Sequence, residues 1–275
     1  MNDIKARIKS VSGTMQITKA MELVAISKLR RAKEKVESSR PFFNLLSEAI
    51  KTVEGSSDVG STVWFSPKET GKTLYVVIAG DRGLAGGYNS NVFKLLDSVK
   101  AGGEAIYLPI GKKSLDHFRH GGDEVFSDAL AYVADVGVGG AFAMAKEICR
   151  AYAAGEFSRV ELVYTKFVSM MSQSATHTVL LPLAAEKSEK AIDPIWDGEP
   201  EELLDEIIPQ YVGGVLYSAV CEAVASELSA RRMSMNAANK NASEMIDALM
   251  LGYNRARQAV ITQEITEIVS GAEAL

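Results

Sequence analysis

The sequence predicts an α/β protein in which a long antiparallel coiled coil of the N- and C-terminal helices joins a central Rossmann-like α/β domain. At both ends of the chain, apolar residues recur in alternating steps of four and three, as in coiled coils. Between the ends, short apolar runs alternate with helix-like stretches, as in domains with a largely parallel sheet. The predicted division is an N-terminal helix at residues 1–58, a central domain at 70–190 and a C-terminal helix at 201–275.

The N-terminal arm carries the first half of the predicted seam. Its seam positions step alternately by four and three residues: Ile4, Ile8, Val11, Met15, Thr18, Glu22, Ala25, Leu29, Ala32 and Val36. Thr18 and Glu22 are polar interruptions in the middle of this pattern. Around them, the stretch ITKAMELVAI at residues 17–26 is apolar on several faces at once, which indicates contacts outside the coil.

The middle of the chain reads as alternating strands and helices. Strands are predicted at residues 73–80, 104–111, 159–168 and 174–183, helices at 90–100, 112–120 and 140–154, and an exit loop at 187–202. Buried parallel strands are near-continuous apolar runs, as in TLYVVIAG and EAIYLPIG. Because the two arms must return to each other, we expect this domain to be an insertion between two paired helices.

The C-terminal arm continues the seam after Pro209, a residue suited to the first turn of a helix. Its seam positions are Cys221, Ala225, Leu228, Arg232, Met235, Asn239, Ala242, Ile246, Leu249, Tyr253, Ala256 and Val260. A helix of about 65 residues would be about 100 Å long at about 1.5 Å per residue. Gly213, Gly214 and Gly252 weaken this prediction by about 1 kcal/mol each, and the adjacent pair marks either close packing or a flexible join.

Composition narrows the classes of function. A net charge of −5 gives no reason to expect a nucleic-acid partner. Residues 1–40 nevertheless carry ten Lys and Arg against four acids, so a basic arm on an acidic body indicates internal pairing or an acidic partner. No window reaches the roughly 20 apolar residues of a membrane span, and the first residues lack the apolar core of a signal peptide. The widely separated Cys149 and Cys221 are expected to be buried free thiols, which suits a reducing cytoplasm.

Two stretches resemble phosphate-binding loops. GKT at residues 71–73 ends like a P-loop, but Ser66 stands where the first glycine belongs and a strand follows. In AGDRGLAGGYN, the glycine spacing is not GxGxxG, and Asp81 and Arg82 stand where a pyrophosphate would need close backbone approach. Three interpretations stay open on the residues alone: a tight strand-to-helix turn capped by Asn89 or Ser90, a partner-contact loop, and a nucleotide site.

No catalytic or metal constellation is predicted. His117 and His120 share one helix face, but no third ligand accompanies them, and His177 falls on a distant strand. Methionines at positions 233, 235, 245 and 250 indicate an adaptable core more than a cofactor site. We therefore expect no cofactor, no metal and no catalytic residue in this chain.

Four stretches together resemble the gamma subunit of bacterial F-type ATP synthases. They are ITKAMELVAISKLRRA at residues 17–32, GDRGLAGGYN at 80–89, RRMSMNAANKNA at 231–242 and YNRARQAVITQEITEIVSGAEAL at 253–275. They occur in the order found in that family, and the two arms and the domain between them cover the whole chain. Two departures are Ala85, where many relatives carry cysteine, and the pair Gly213 and Gly214, where relatives usually have helix-favouring residues.

The resemblance implies a rotor shaft without bond chemistry of its own. In the family, this subunit stands inside a ring of alpha and beta subunits, and its foot sits on the c-ring beside epsilon. Ion flow turns the foot, and the eccentric coil drives each beta subunit through its open and closed shapes. The resemblance also implies one copy per complex, membrane contact only through the c-ring, and a place on the cytoplasmic face of the bacterial inner membrane.

The resemblance assigns partner contacts to three groups of residues. Those expected to contact the beta subunit are Arg257, Gln258, Thr262 and Glu264 on the C-terminal arm, the basic collar Lys19, Lys28, Arg30, Arg31 and Lys33, and Arg82 in the glycine loop. Those expected to form an apolar bearing, because the longer C-terminal arm overhangs its partner, are Val260, Ile261, Ile265, Ile268 and Val269. Those expected to contact the c-ring or epsilon are Trp196, Glu201 and Asp205.

Two other classes of function remain open at this point. The chain could be a static coiled-coil adaptor that tethers two partners, or an enzyme that binds a nucleotide at the loop of residues 80–87. A rotor subunit is distinguished from an adaptor by one copy per hexamer and by ATPase activity that depends on it. An enzyme is distinguished from both by nucleotide binding to the isolated chain.

Overall fold

The computed structural model describes residues 1–54, 62–66, 68, 71–100, 103–183 and 200–273. These residues form five α-helices, four β-strands and a 3₁₀ turn. They divide into two compact units, a coiled-coil unit of Met1–Ile26 with Arg231–Leu275 and a domain unit of Ser27–Ala230. In chain order the elements are α1 (Asn2–Glu54), β1 (Lys72–Ile78), α2 (Tyr88–Val99), β2 (Ala105–Ile110), α3 (Lys112–Gly121), a 3₁₀ turn (Val133–Asp135), α4 (Val138–Ala153), β3 (Phe157–Phe167), β4 (Gln173–Leu181) and α5 (Pro200–Glu273).

The coiled-coil unit consists of the first part of α1 and the last part of α5. Thr18 donates a hydrogen bond to Asn239, and the ammonium group of Lys5 lies 5.4 Å from the ring centroid of Tyr253, so the two helices run antiparallel. From Ile4 to Ala25 and from Arg232 to Ala256, every predicted seam position is partly or fully buried. The predicted antiparallel coiled coil is confirmed.

The domain unit is built on a four-stranded sheet with the strand order β2-β1-β3-β4. β1 is parallel to β2 and to β3, whereas β4 is antiparallel to β3. The predicted α/β domain with a largely parallel sheet is therefore confirmed. Parallel strands are usually covered on both faces, which explains why the sequence of β1 is apolar without alternation.

Helices cover both faces of the sheet. Alternate residues of β1 point to opposite faces, so Leu74 and Val76 join a core with residues of α4 and α5, whereas Tyr75 and Val77 pack with residues of α2 and α3. On the second face the rings of Tyr107 and Phe118 stack at 4.2 Å. This double packing holds the loops at the carboxyl edge of the sheet in place.

The start of α5 lies within one residue of the predicted C-terminal helix at 201–275, but the place of Pro209 differs from the prediction. α5 begins at Pro200, and Pro209, expected in the first turn, lies inside the helix. Proline suits the first helical position because its missing N–H is not needed there, and Glu201 and Glu202 in the first turn favour the positive end of the helix dipole. These local signals at residues 200–202 account for the earlier start.

The glycine pair in α5 marks close packing. A Cβ atom on Gly213 would lie 3.0 Å from the Phe142 ring of α4, closer than an ordinary van der Waals contact. The helix continues through Gly213 and Gly214 without interruption. Of the two interpretations open from the sequence, the structure therefore favours close packing over a join between separate helices.

Within the domain unit, α1 and α5 also pack against each other. Leu29, Ala32 and Val36 of α1 form one apolar cluster whose other members are Phe167, Cys221, Ala225 and Leu228. We call this cluster the neck. Burial raises the pKa of the Cys221 thiol, an effect that Tyr217 and the Lys35 cation partly oppose. Cys149 is also buried and free, and burial raises the pKa of its thiol to about 12.

Among the residues that the structure describes, one helix is long and apolar enough to cross a membrane. An 18-residue window within Glu201–Ser270 has a mean hydropathy of 1.3, and 67% of that window is buried inside the protein. Burial of this extent is the pattern of a helix that packs in a protein core.

Candidate partner-contact surfaces

A buried polar cluster interrupts the seam of the coiled-coil unit. The Glu22 carboxylate, 5% exposed, accepts hydrogen bonds from Lys19 at 3.0 Å, from Asn236 at 3.2 Å and from Asn239 at 3.2 Å. Asn239 also accepts the 2.6 Å hydrogen bond from Thr18. The two polar interruptions predicted in the seam thus pair with the facing helix.

The Lys19 hydrogen bond lowers the pKa of Glu22, with further contributions from Asn236 and Asn239, while burial acts in the opposite direction. Polar residues within a coiled-coil seam specify how the helices align at a cost in stability. The cluster therefore opposes any sliding that would leave the Glu22 carboxylate without its donors.

The collar residues on α1 fall into two sets. On one flank, Arg30 lies 3.3 Å from Glu34 and Lys33 lies 3.4 Å from Glu37. Lys28 and Arg31, three residues apart on another flank, are exposed and form no ion pair with another described residue. From the sequence, these cations were predicted to act as one group. In the structure, Arg30 and Lys33 have acidic partners on α1, whereas the charges of Lys28 and Arg31 are not balanced by another described residue.

Lys19 lies in the coiled-coil unit, where its ammonium group pairs with Glu22. Its side chain remains 59% exposed. The structure therefore gives Lys19 an intramolecular role in addition to the beta-subunit contact expected from the sequence. The signal for this role was the spacing of three residues between Lys19 and Glu22 on one helix.

The loop after β1 is held by its own carboxylate. Asp81 accepts hydrogen bonds from the backbone N–H groups of Lys112 at 3.1 Å, Val133 at 2.9 Å and Ala134 at 3.1 Å. Lys112 is the first residue of α3, and a helix start is where a bound phosphate would sit. The side chain of Asp81 thus ties the loop after β1 to the start of α3 and to the 3₁₀ turn, which favours a structural turn.

The predicted cap of α2 is wrong in its details. The N-cap residue is Gly87, and no side chain makes a capping hydrogen bond there. Asn89 instead accepts a 2.8 Å hydrogen bond from the backbone N–H of Gly80, and Ser90 donates to the carbonyl of Gly87. A side chain at position 89 lies inside the first turn of α2, from which its amide reaches back across the loop.

The same loop packs tightly against α5. A Cβ atom on Gly80 would lie 2.8 Å from the carboxylate of Glu227, and the hydroxyl of Tyr88 donates to the carbonyl of Ala223 at 3.0 Å. Arg82 is exposed at the outer side of the loop, where its carbonyl accepts from Asn89 at 3.4 Å. Gly80 therefore lies in close contact with the Glu227 side chain of α5, while Arg82 is available to a partner.

Beyond Ala256, every residue of α5 with a described side chain is exposed. Thr262 donates to the carbonyl of Gln258 at 2.9 Å, a bond within the helix. The predicted bearing residues lie in this segment and remain exposed, up to 71% for Ile268: Val260, Ile261, Ile265, Ile268 and Val269. Arg257, Gln258 and Glu264 lie on the same exposed segment.

The predicted foot contacts fall at the other end of α5. Glu201 is exposed in the first turn. Asp205 accepts a 2.8 Å hydrogen bond from the indole N–H of Trp64, which ties the start of α5 to residues 62–66. Trp196 lies outside the described residues.

The three histidines have local partners. His117 stacks on Phe93 at 4.0 Å, Nδ1 of His120 lies near the carbonyl of Asp116, and Nε2 of His177 lies 2.7 Å from Glu161. Within the described ranges, no group of three His, Cys, Asp or Glu side chains is placed to hold a metal ion.

The β3–β4 hairpin carries an exposed apolar tip that was not predicted from the sequence. Met170 and Met171 lie in the middle of the five-residue loop 168–172 between β3 and β4, and Met171 is 82% exposed. Ser169 and Ser172 close the loop through backbone hydrogen bonds of 2.9 Å and 3.3 Å. The signal was available in the stretch VSMMSQ, which places two methionines between two predicted strands.

Comparison with known proteins places these surfaces in context. A family model described as ATP synthase matches residues 1–275. The chain is 44% identical to an ATP synthase gamma chain of Ruminococcus albus, with 99% of this chain and 97% of the relative covered. It is 41% identical to a gamma chain of Acetobacterium woodii described as sodium ion specific, with 100% and 98% covered.

Solved structures of similar fold come from mitochondrial ATP synthases. A chain of the Tetrahymena thermophila central stalk and c-ring structure has a TM-score of 0.62 and 26% identity, with 81% of this chain and 99% of that chain covered. A chain of the Euglena gracilis rotor structure has a TM-score of 0.68 and 18% identity, with 94% and 98% covered. At 18% identity, the second likeness concerns the fold alone.

Proposed function

Because the chain belongs to the family of ATP synthase gamma chains, we propose that it is the central rotor shaft of such an enzyme. It transmits torque between the ion-driven c-ring and the catalytic ring of alpha and beta subunits. The catalytic chemistry belongs to the beta subunits, and this chain itself performs none. Its partners are the alpha, beta and epsilon subunits and the c-ring.

The observation that carries this proposal is the unpaired end of α5. The antiparallel seam ends near Tyr253, opposite Lys5, whereas α5 continues to Glu273. An exposed helix end that carries Ile261, Ile265 and Ile268 needs an apolar surface around it. A surrounding collar of partner subunits would supply this surface, and non-directional apolar contact opposes rotation little because few directional bonds must break.

Contacts with the beta subunit are proposed at two levels of the shaft. On the exposed part of α5, Arg257, Gln258, Thr262 and Glu264 bind a beta-subunit loop through hydrogen bonds at particular rotor angles. Their exposure, apart from the intrahelical bond of Thr262, leaves side-chain donors and acceptors available for this purpose.

At the second level, the basic collar meets an acidic helical lever of the beta subunit. The collar comprises Lys19, Lys28, Arg30, Arg31 and Lys33, with Arg82 nearby in the proposed contact. Each exposed ion pair contributes less than about 1 kcal/mol and weakens as salt rises. The collar therefore serves to orient and steer the lever more than to bind it tightly.

The foot is proposed at the start of α5 and the preceding loop. Trp196, Glu201 and Asp205 would contact the c-ring or epsilon. The chain is peripheral to the membrane as part of the soluble portion of the enzyme, and we place it on the cytoplasmic face of a bacterial inner membrane. The division into an N-terminal helix at 1–58, a domain at 70–190 and a C-terminal helix at 201–275 follows the same assignment.

Reconstitution with alpha and beta subunits tests the proposed function. The expected result is one copy of the chain per alpha–beta hexamer, with ATPase activity that depends on its presence. Omission of the chain is the control for basal activity. Three copies per hexamer, or ATPase activity that does not change when the chain is added, would instead indicate a static adaptor.

A further inference from the structure

We propose that the methionine tip of the β3–β4 hairpin and the uncompensated cations of α1 form one docking surface for an acidic amphipathic helix. We call this surface, defined by Lys28, Arg31, Lys35, Met170 and Met171, the cation–methionine surface. The proposal rests on the proposed function, because it identifies this helix as the beta-subunit lever and adds an apolar half to the contact made by the collar.

The hairpin tip is exposed, yet it is held in a defined conformation. The hydroxyl of Ser169 accepts from the backbone N–H groups of Met171 at 3.3 Å and Ser172 at 3.1 Å. The side chain of Gln173 donates to the carbonyls of Ser169 at 3.0 Å and Met170 at 3.2 Å. A loop with this many internal hydrogen bonds presents its two methionines outward, and exposed apolar groups held in this way are typical of interaction sites.

The neck joins the hairpin to the cations of α1. Phe167, the last residue of β3, packs in one cluster with Leu29, Ala32 and Val36. Lys28, Arg31 and Lys35 each directly precede one of these three residues in α1. Their spacing of three and four residues places the cations along one flank of the helix. The base of the hairpin therefore packs in the neck, and the cationic flank lies directly beside the α1 residues of the same cluster.

The positive charge of the cation–methionine surface indicates what kind of helix would bind it. Lys28, Arg31 and Lys35 are exposed and form no ion pair with another described residue, whereas Arg30 and Lys33 on the other flank pair with acids of α1 itself. Lys166, directly before Phe167 in β3, is a further exposed cation of the hairpin. A helix with acids on one side and apolar residues on the other matches cations and methionines together.

Methionine suits a contact that must be remade during rotation. Its flexible, polarizable side chain adapts to differently shaped partners. In the proposed function, successive beta subunits in different conformations face the same side of the shaft. A rigid aromatic tip would fit one of these conformations best, whereas Met170 and Met171 can adapt to each of them.

Photo-crosslinking in the reconstituted complex tests the docking surface directly. With p-benzoylphenylalanine in place of Met171, we expect the adduct to map to an acidic helical segment of the beta subunit. The same probe in place of Val138, an apolar residue of the same unit that is 51% exposed, is the control and should not label that segment. Adducts of the Met171 probe only on alpha or epsilon, or no adduct in an assembled complex, would overturn the proposal.

Substitutions separate the two flanks of α1 and distinguish this proposal from the proposed function. We expect Met170→Ser with Met171→Ser, and separately Lys28→Glu with Arg31→Glu, to weaken ATPase activation by the chain about tenfold at low salt. Arg30→Glu with Lys33→Glu is the matched control and should have a smaller effect. If all three pairs behave alike while the unaltered chain still activates, only the docking surface is disproved. If the unaltered chain does not activate, the proposed function itself fails.

Discussion

At the scale of single residues, two buried glutamates lie where separate elements of the chain meet. Glu22 lies in the seam of the coiled-coil unit, and Glu227 lies against Gly80 in the domain unit. Each acid is nearly inaccessible to solvent, and a buried carboxylate is costly unless donors surround it. For Glu22 the donors come from both helices of the coil, so its burial depends on their correct alignment.

We predict that Asn239→Ala destabilises the coiled coil by about 1–2 kcal/mol, because Glu22 and Thr18 each lose a hydrogen-bond partner. Asn241→Ala is the matched control, since Asn241 is an exposed residue on the same helix and gains the same helix propensity. Denaturant unfolding followed by circular dichroism measures both variants. Equal stability of the two variants would show that the polar cluster contributes nothing.

The Glu22 cluster also predicts a pH dependence. The fold lowers the pKa of Glu22 below its ordinary value of 4.5, chiefly through Lys19. The resulting stabilisation is fully present above the ordinary pKa and is lost as the pH falls through the lowered value. Between about pH 6 and pH 3, the free energy of unfolding should therefore decrease less steeply for Glu22→Gln than for the unaltered chain. Parallel curves would contradict this.

We predict that Gly80→Ala destabilises the domain unit by about 1–3 kcal/mol, because the new methyl group would overlap the carboxylate of Glu227. Gly83→Ala in the same loop is the control, since nothing lies within 4 Å of a Cβ atom there. Thermal unfolding of the two variants measures the difference. A smaller loss for Gly80→Ala than for Gly83→Ala would show that α5 does not constrain the loop.

At the scale of elements, α5 changes its surroundings along its length. Its first part packs in the core of the domain unit, its middle pairs with α1, and its last part is exposed. The polar residues Arg257 and Gln258 stand where pairing ends, whereas the apolar Ile265 and Ile268 stand in the exposed end. This order agrees with the proposed roles, in which Arg257 and Gln258 form angle-dependent hydrogen bonds and Ile265 and Ile268 form bearing contacts.

We predict that deletion of the last ten residues is tolerated better than Arg257→Ala with Gln258→Ala. A bearing of non-directional apolar contacts still guides a shortened helix, whereas each lost hydrogen bond to a charged group costs about 1.5–3 kcal/mol. ATP-driven ion pumping by the reconstituted enzyme measures coupling in each variant. The opposite order of activities would count against this division of roles.

At the scale of the whole molecule, the hydrogen bonds of the glycine loop at residues 80–87 bear on whether the chain is a mechanical subunit or a nucleotide-binding enzyme. In nucleotide-binding domains of this class, backbone donors at the carboxyl edge of the sheet face the phosphates. In this chain, Asp81 accepts hydrogen bonds from three such donors, including the first residue of α3. The Asp81 carboxylate thus occupies three backbone donors at this edge of the sheet.

We predict that the isolated chain binds neither ADP nor ATP at concentrations up to about 1 mM, as measured by calorimetry. The complete complex, whose other subunits hold nucleotides, is the positive control. Saturable binding to the isolated chain would reopen the enzyme interpretation. If Asp81→Ala then strengthened that binding, the loop itself would be identified as the site.

The sequence by itself determined the seam and the order of the elements. Heptad spacing and apolar runs are local patterns, so the seam from Ile4 to Ala25, its partner from Arg232 to Ala256 and all four strands could be read without a structure. Helix ends were less certain because capping signals compete, as the start of α5 at Pro200 shows. The partner-contact residues were predicted from motifs that the chain shares with the family. Such motifs indicate the role of a residue but not its distance from other residues.

Only the tertiary structure decided which side chains meet. Asp81 reaches residues 31 and 52 positions away, and Glu22 meets donors more than 200 positions away, so no local pattern contains these contacts. The same holds for the cations of α1, which look equivalent in sequence until intrahelical partners neutralise one flank. Spacing determines the face on which a residue lies, whereas the charge and burial of that face depend on parts of the chain that folding brings together.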